Sequence, residues 1–492
     1  MPDDLLRLNS ETEWSGLWWL PDAPDEQIPG TLRYAPGTGL TLTLIGRLED
    51  RIMSKPENGK VTVYQGLQSW DAIHGVANRR EITLLGCSPR HSPITWGARV
   101  KSPEKQVISV DSALIGAHVA SPEESAFAAC DFSVEDLGVW AASSALSPIF
   151  ELEDGRLNGK STLELSPASE TSVEVDGTKY SLSHRYTLPF VEARRGVDFG
   201  RATDTPFVQV KPSDGCSLED AIRYAGLFQD LLSLSTHRAS GVLWLRLRLS
   251  GPTVDPLPER PVPARYAEVL YRPTVIGDGD AEAAKPHRVL FTCDDTPFEE
   301  IVPRWCEVHE RLQAAASMIL GLRYDPALYI ENNLLISVGA AEVLQGKLHV
   351  GSPPIPEEEF ALLREQILPN VSEERRDWVR SKLQNTPSLR SRLLGLVERM
   401  DAGVVDLLMP DKDRWAQSAS QARNDLAHQG QTPRHSMEEL SAVVRVTTAV
   451  VVLNLLQELG ISAERQREIM QRNPELRQTA SDARRWLDKK TS

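Results

Sequence analysis

The sequence predicts a multidomain α+β protein, a β-rich N-terminal region followed by an all-helical C-terminal bundle. Three observations predict it. Up to the stretch "CDDTPFEE" (293–300), apolar and polar residues alternate with a period of two between turns rich in Gly and Pro. After that stretch the apolar spacing takes on the three-and-four rhythm of helices and keeps it. At 492 residues the chain also exceeds what one hydrophobic core ordinarily organises. The division is set near residue 294, giving a β-rich region 1–294 and a helical region 295–492.

In the first region "TLRYAPGTGLTLTLIGRL" (31–48) alternates across a Pro-Gly and Gly turn, the pattern of a hairpin. "GTGL" (37–40) is that turn and not a phosphate loop, because no further glycines or P-loop lysine accompany it. "REITLLGC", "STLELSP", "TSVEVDGTKYSLSHRYTL" and "GVLWLRLRLSG" repeat the alternation, with Asp176-Gly177 marking a two-residue turn. One helix interrupts, 217–236, opened by Ser217 and Asp220 and given an apolar face by Ile222, Ala225, Leu227, Leu231, Leu232 and Leu234. Strands are expected again at 242–249, 265–275 and 287–293. The Pro-rich "GPTVDPLPERPVP" (251–263) and "GDGDAEAAKP" (277–286) read as solvated loops.

In the second region helices are expected over 298–322, where Pro303 kinks or restarts the pattern, and then over 326–348, 357–368, 372–384 and 388–400. "DRWAQSASQARNDLAHQGQTP" (413–433) suits a helix through Ala427 or His428 with Gly430 at its C-terminal cap. The last long helix opens with a capping box, Ser436 to Glu439, and stops at Gly460. Its apolar part, 443–459, holds Arg445, Thr447, Thr448, Asn454 and Gln457, so it reads as a core helix and no membrane partner is expected.

Composition narrows the function classes. A net charge of −15 argues against non-specific coating of nucleic acid, although 375–399 and 483–490 are locally basic. The five cysteines (Cys87, Cys130, Cys216, Cys293 and Cys306) are widely spaced and form no C-x-x-C pair, which speaks against a disulfide framework or a zinc cluster. The start "MPDDLLRLNSETEW" is acidic, unlike the basic beginning of a signal peptide, and the expected location is the cytoplasm.

The stretch that carries chemistry is "QARNDLAHQG" (421–430). Asn424 and His428, four apart, share a helix face, whereas Arg423 and His428, five apart, differ by roughly 140° of rotation. His428 lies at the C-terminal end, where the helix dipole favours a cation. Metal-free RNA cleavage needs groups that take and give a proton and a cation on the phosphorane; histidine suits the first task and arginine the second. Asn424 is placed to orient either. The plain alternative is a charged helix end in which Arg423 pairs with an acid such as Asp413.

Taken with its setting, the stretch resembles the HEPN ribonuclease superfamily, whose signature is R-x4–6-H with a polar residue directly after the arginine; here these are Arg423, Asn424 and His428. The resemblance narrows to the ApeA family of bacterial anti-phage proteins, on "WSGLWWLP", "GTLRYAPGTGLTLTLIG", "REITLLGC", "YAGLFQDLLSLST" and "ENNLLISVGAAEVLQ" in that order. It implies a β-rich region ahead of a HEPN domain with metal-independent endoribonuclease activity and no cofactor. It implies as well a homodimer with a composite active site, or a dimer of dimers, cutting host RNA, tRNA anticodon loops foremost. A phage protein is the implied trigger, sensed by the β-rich region. Because a single copy leaves Arg423 and His428 on different faces, the stretch reads as half of a site. The rival is a non-catalytic scaffold, a HEPN-like domain that dimerises or binds RNA beside a β-rich recognition domain.

Other candidates are weaker. "CDDTPFEE" and "DGD" (278–280) read as helix-start acids and a solvated loop in preference to cation sites. Glu342 is a lone acid on an apolar helix and a candidate partner for Arg423. His435, seven residues past His428 in the loop before the capped helix, reads as a surface residue in preference to a phosphate contact, and His184 and His237 read as isolated structural histidines.

Overall fold

Alternation becomes strand wherever one face can be buried and the other hydrated. The computed structural model describes residues 5–48, 52–53, 63–64, 69–90, 104–250, 264–351 and 353–488. The chain divides into two compact units, Met1–Leu232 with Ser240–Ala283, and Ser233–Ala239 with Ala284–Ser492.

The first unit runs β1 (Thr12–Trp19), β2 (Ile28–Ala35), β3 (Gly39–Ile45), the two-residue β4 (Ile52–Met53) and β5 (Val63–Tyr64), β6 (Trp70–Ala77), β7 (Arg80–Pro89), β8 (Lys105–Ile115) and β9 (Phe127–Val134). A short helix α1 (Leu137–Ala141) precedes β10 (Leu146–Glu153), β11 (Arg156–Leu165), β12 (Thr171–Val175), β13 (Thr178–Tyr186), β14 (Phe190–Ala193), β15 (Asp198–Arg201) and β16 (Asp204–Pro212). Helix α2 (Leu218–Thr236), whose residues from Ser233 on belong to the second unit, β17 (Val242–Leu249) and β18 (Tyr266–Tyr271) follow.

The strands β8-β3-β2-β1-β6-β7 form a six-stranded antiparallel barrel, because β7 returns to pair with β8. Closure removes the free edges a flat sheet would leave. Trp18, Leu32, Leu42, Ile82, Leu84 and Leu114 on these strands are buried at essentially no exposure. Gly75 lies under the Trp18 ring, where a Cβ would stand 2.3 Å from a ring carbon, so only glycine fits. From β8 the sheet continues outward as β18-β17-β9-β16-β13-β12. The turn between β12 and β13 places Asp176 at φ 48 and Gly177 at φ 73, the left-handed pair a two-residue hairpin turn requires.

Helix α2 starts as the sequence predicts. Ser217 Oγ accepts from the Asp220 N–H at 3.0 Å while the Asp220 carboxylate accepts from the Ser217 N–H at 3.3 Å. Its apolar face covers the outer sheet, with Phe228 against Phe132 at 5.6 Å and Tyr180 at 6.2 Å between ring centroids.

One expected strand is absent. Residues 287–293 form turns and irregular chain, not a strand. Val289, Leu290 and Phe291 are buried, as the apolar run suggests, and backbone groups of Leu290 and Phe291 find partners outside any strand. The Leu290 N–H donates to Ser235 at 2.7 Å, and the Phe291 carbonyl accepts from Ser235 Oγ at 2.6 Å, both in the last turn of α2. The Arg465 side chain takes the Leu290 carbonyl at 3.2 Å.

The second unit runs α3 (Phe298–Tyr324), α4 (Ile330–Leu348), α5 (Glu357–Ile367), α6 (Glu373–Lys382), α7 (Leu389–Glu398), α8 (Ala402–Leu408), α9 (Lys412–Gln429), α10 (Met437–Glu458), α11 (Ala463–Arg472) and α12 (Pro474–Trp486). Pro303 neither ends nor restarts α3, which is continuous through it. The centre of the bundle is α10, packed against α3, α4, α9 and α12. It is long and apolar enough to cross a membrane by length and composition, and 78% of that span is buried inside the protein. The capping box forms, with Ser436 and Glu439 each closing the other's backbone N–H at 3.2 Å.

Candidate functional site

The candidate site is built on α9. Asp411 starts the helix by accepting from the Arg414 N–H at 2.9 Å, and Gly430 closes it in the left-handed region at φ 69. Trp415, Ala416, Ala419 and Ala422 form the buried face, and the Trp415 indole N–H donates to Thr447 of α10 at 3.2 Å. This face fixes the rotation of the helix. Arg423 then falls at the edge of the buried stripe, and Asn424 and His428 lie exposed.

Arg423 does not pair with Asp413, which instead holds Arg390 at 2.6 Å. Its guanidinium reaches α4 and donates to Glu342 at 3.2 Å, with the Asn424 side-chain oxygen at 3.5 Å. The Arg423 side chain remains 34% exposed, so part of its donor fork faces solvent beside the glutamate that orients it. Among the described residues no hydrogen bond joins Arg423 to His428. The structure therefore brings Arg423, Asn424 and Glu342 together and leaves His428 apart at the helix end.

One residue of the stretch escaped the sequence reading. Asp425, between the three candidates, is buried and receives both the Nε (3.0 Å) and a terminal nitrogen of Arg434. This pair folds the loop after Gly430 back onto the end of α9 that carries His428. The signal was a lone acid on an apolar helix face with an arginine just past a Gly and a Pro, a pairing of long reach that helix periodicity does not register. His435, next in the loop, has a buried Nδ1 without a hydrogen-bond partner, and burial holds its imidazole below the usual pKa despite Glu439 and Asp425 nearby.

The other candidates are structural parts. His184 is not isolated: its Nδ1 faces Asp204 at 3.0 Å and its Nε2 faces Ser143 Oγ at 2.9 Å. Asp204 also accepts from the Ala145 N–H at 2.7 Å and from Ser144 Oγ at 3.1 Å. With the histidine side chain only 1% exposed, the chain of bonds clamps the turn after α1 to β13 and β16. Of the acids in "CDDTPFEE", Glu299 and Glu300 occupy the first turn of α3, and Asp295 pairs with Arg465 at 3.2 Å. Asp280 of "DGD" pairs with Arg7 at 3.3 Å. All five cysteines are free thiols, and Cys87, Cys130 and Cys216 are buried.

The helical unit thus presents an exposed histidine and a partly exposed arginine on one helix, and the other unit is a β-rich barrel with an outer sheet. Residues 13–305 match the model of ApeA N-terminal domain 1, and residues 335–465 match the Apea-like HEPN model. The chain belongs to the ApeA family, and its HEPN domain places it among the nucleases of anti-phage defence. The HEPN match spans Glu342, Arg423, Asn424 and His428. No curated protein and no solved structure matches the chain.

Proposed function

We propose that the chain is a metal-independent endoribonuclease whose active site is assembled from two copies of α9. The observation that carries this reading is the split of the motif: Arg423 is held by Glu342 and Asn424 at the rim of the buried face, while His428 stands apart and exposed at the helix end. Cleavage joins the 2′-oxygen to the neighbouring phosphorus and expels the 5′-oxygen. One group must take the 2′ proton and another must give a proton to the leaving oxygen. A single α9 offers one histidine for these two tasks. A second copy across a two-fold axis supplies the other His428 and a second Arg423 to hold the charge on the phosphorane. Asn424, within reach of the Arg423 side chain, keeps the guanidinium directed at the phosphate.

Within anti-phage defence, the substrate proposed is host RNA, tRNA anticodon loops foremost, cut when a phage product is sensed by the β-rich unit. The test is expression of wild type, Arg423→Ala and His428→Ala with and without phage, with total RNA probed for new 5′-hydroxyl ends. Cleavage should vanish in both variants and, for purified wild type, persist in EDTA. Cleavage unchanged by both substitutions overturns the assignment and favours a scaffold, and strict dependence on Mg²⁺ overturns the metal-free chemistry.

A further inference from the structure

Away from α9, the helical unit holds a cleft of about 430 Å³, open to solvent, between α3, α4, α10, α12 and the chain leaving α2, within the size range of small-ligand sites. None of Arg423, Asn424 and His428 lines it. In a chain of net charge −15 its wall is cationic: Arg238, Arg288, Arg323 and Arg445 face one carboxylate, Glu475. Arg323 is committed to the His237 carbonyl at 2.6 Å and to Glu475 at 3.1 Å, and Arg445 to Asp482 at 2.7 Å. The exposed Arg288 side chain has no partner among the described residues.

Two buried polar atoms of this wall are unspent. Asn333 Nδ2 donates to the Ala327 carbonyl at 3.2 Å, but its Oδ1 accepts nothing. The His237 side chain is 4% exposed, and its Nδ1 makes no hydrogen bond, with the nearest Glu475 oxygen 3.4 Å away. Burial, with Arg323 and Arg288 close by, keeps this imidazole neutral at physiological pH. A buried acceptor without a donor is costly and calls for a ligand or ordered water. The rest of the wall is apolar, supplied by Ile319, Leu322 and Leu476.

We propose that this cavity binds a free nucleoside monophosphate with an amino-bearing base. The phosphate sits on Arg288 with Arg238 and Arg445, the base lies on Ile319, Leu322 and Leu476, and its amino group donates to Asn333 Oδ1. The site is separate from the α9 stretch, and its occupancy is read by binding, whatever the outcome for RNA cleavage.

The experiment is titration calorimetry on the full-length protein with AMP, CMP, UMP and inorganic phosphate, and with a 5′-phosphorylated RNA oligonucleotide. Wild type, Arg288→Glu and Asn333→Ala are compared, each checked for unchanged thermal melting. AMP or CMP should bind, UMP and phosphate about tenfold or more weaker, since the unpaired Asn333 oxygen and the apolar wall then go unused. Arg288→Glu should weaken AMP binding about tenfold or more, and Asn333→Ala should erase the preference for amino-bearing bases. Failure of AMP and CMP to bind at millimolar concentration overturns the proposal, as water then fills the cavity. Binding unchanged by both substitutions overturns it too, and so does binding of the RNA oligonucleotide alone.

Discussion

The two units use buried charge in opposite ways. In the β-rich unit, Asp131 is fully buried and takes both the Nε (3.1 Å) and a terminal nitrogen (2.8 Å) of Arg246, while its other oxygen accepts from Gln209 at 2.9 Å. The Arg246 guanidinium also lies 4.0 Å over the Tyr266 ring. The fold holds that pair almost wholly out of solvent. On α9, by contrast, Arg423 donates to Glu342 and Asn424 yet stays 34% exposed, and His428 is left to solvent. The difference separates charge spent on the fold from charge left partly open to solvent.

Substitutions break the comparison at either end. The largest effect is expected at the open end: His428→Ala and Arg423→Ala should each lower RNA cleavage by about 10²–10⁴-fold, with thermal melting unchanged for the exposed His428. A parallel loss of stability at His428 would mean that it serves the fold. At the closed end, Asp131→Ala strands a buried guanidinium and should destabilise the β-rich unit by about 3–5 kcal/mol in denaturant titration. A change within experimental error would show that Arg246 finds water. Glu342→Gln lies between the two extremes. It keeps the shape but removes the charge that aims Arg423, and about a tenfold loss of activity is expected with little change in stability.

The smallest effect concerns pH. His237 is buried and its folded pKa lies well below the ordinary 6.5, so the unfolded chain takes up a proton that the folded one refuses. Its contribution is therefore complete above that value and lost as pH falls. Below about pH 6.5 the helical unit should lose roughly 1.4 kcal/mol per pH unit from this residue. Thermal melts from pH 8 to 5 should show a shallower decline in His237→Gln, and identical slopes would contradict the assignment.

Much of this was legible where structure is local. The β2–β3 hairpin, the Asp176-Gly177 turn, the paired start of α2, the capping box of α10 and the Gly430 stop of α9 each depend on residues within a few positions of one another. What was not legible depends on partners distant in sequence. Return of β7 to β8 closes the barrel, but either strand would look the same in an open sheet. The run 287–293 carries the apolar signature of a strand, and only the supply of hydrogen-bond partners in space decides that it is none. The Ser143–His184–Asp204 clamp likewise joins positions that no period connects. At the candidate site the motif and Glu342 could be picked out by residue type, whereas Asp425 was hidden because a buried acid and a surface acid look alike until the helix has a face.

The short crossing at 233–239 has a consequence for how the nuclease unit comes into being. Seven of its residues are made before β17 and β18, and they supply Ser235 to the backbone at 290 and 291 and His237 to the cavity wall. A fragment that begins at residue 284 lacks a piece of its own interior, and no single cut in the chain yields the two units whole. During synthesis this segment emerges first and the rest of the helical unit follows only after 240–283 have been made. The sequence of the helical unit is thus interrupted by that of the β-rich one, with 240–283 lying between its two pieces.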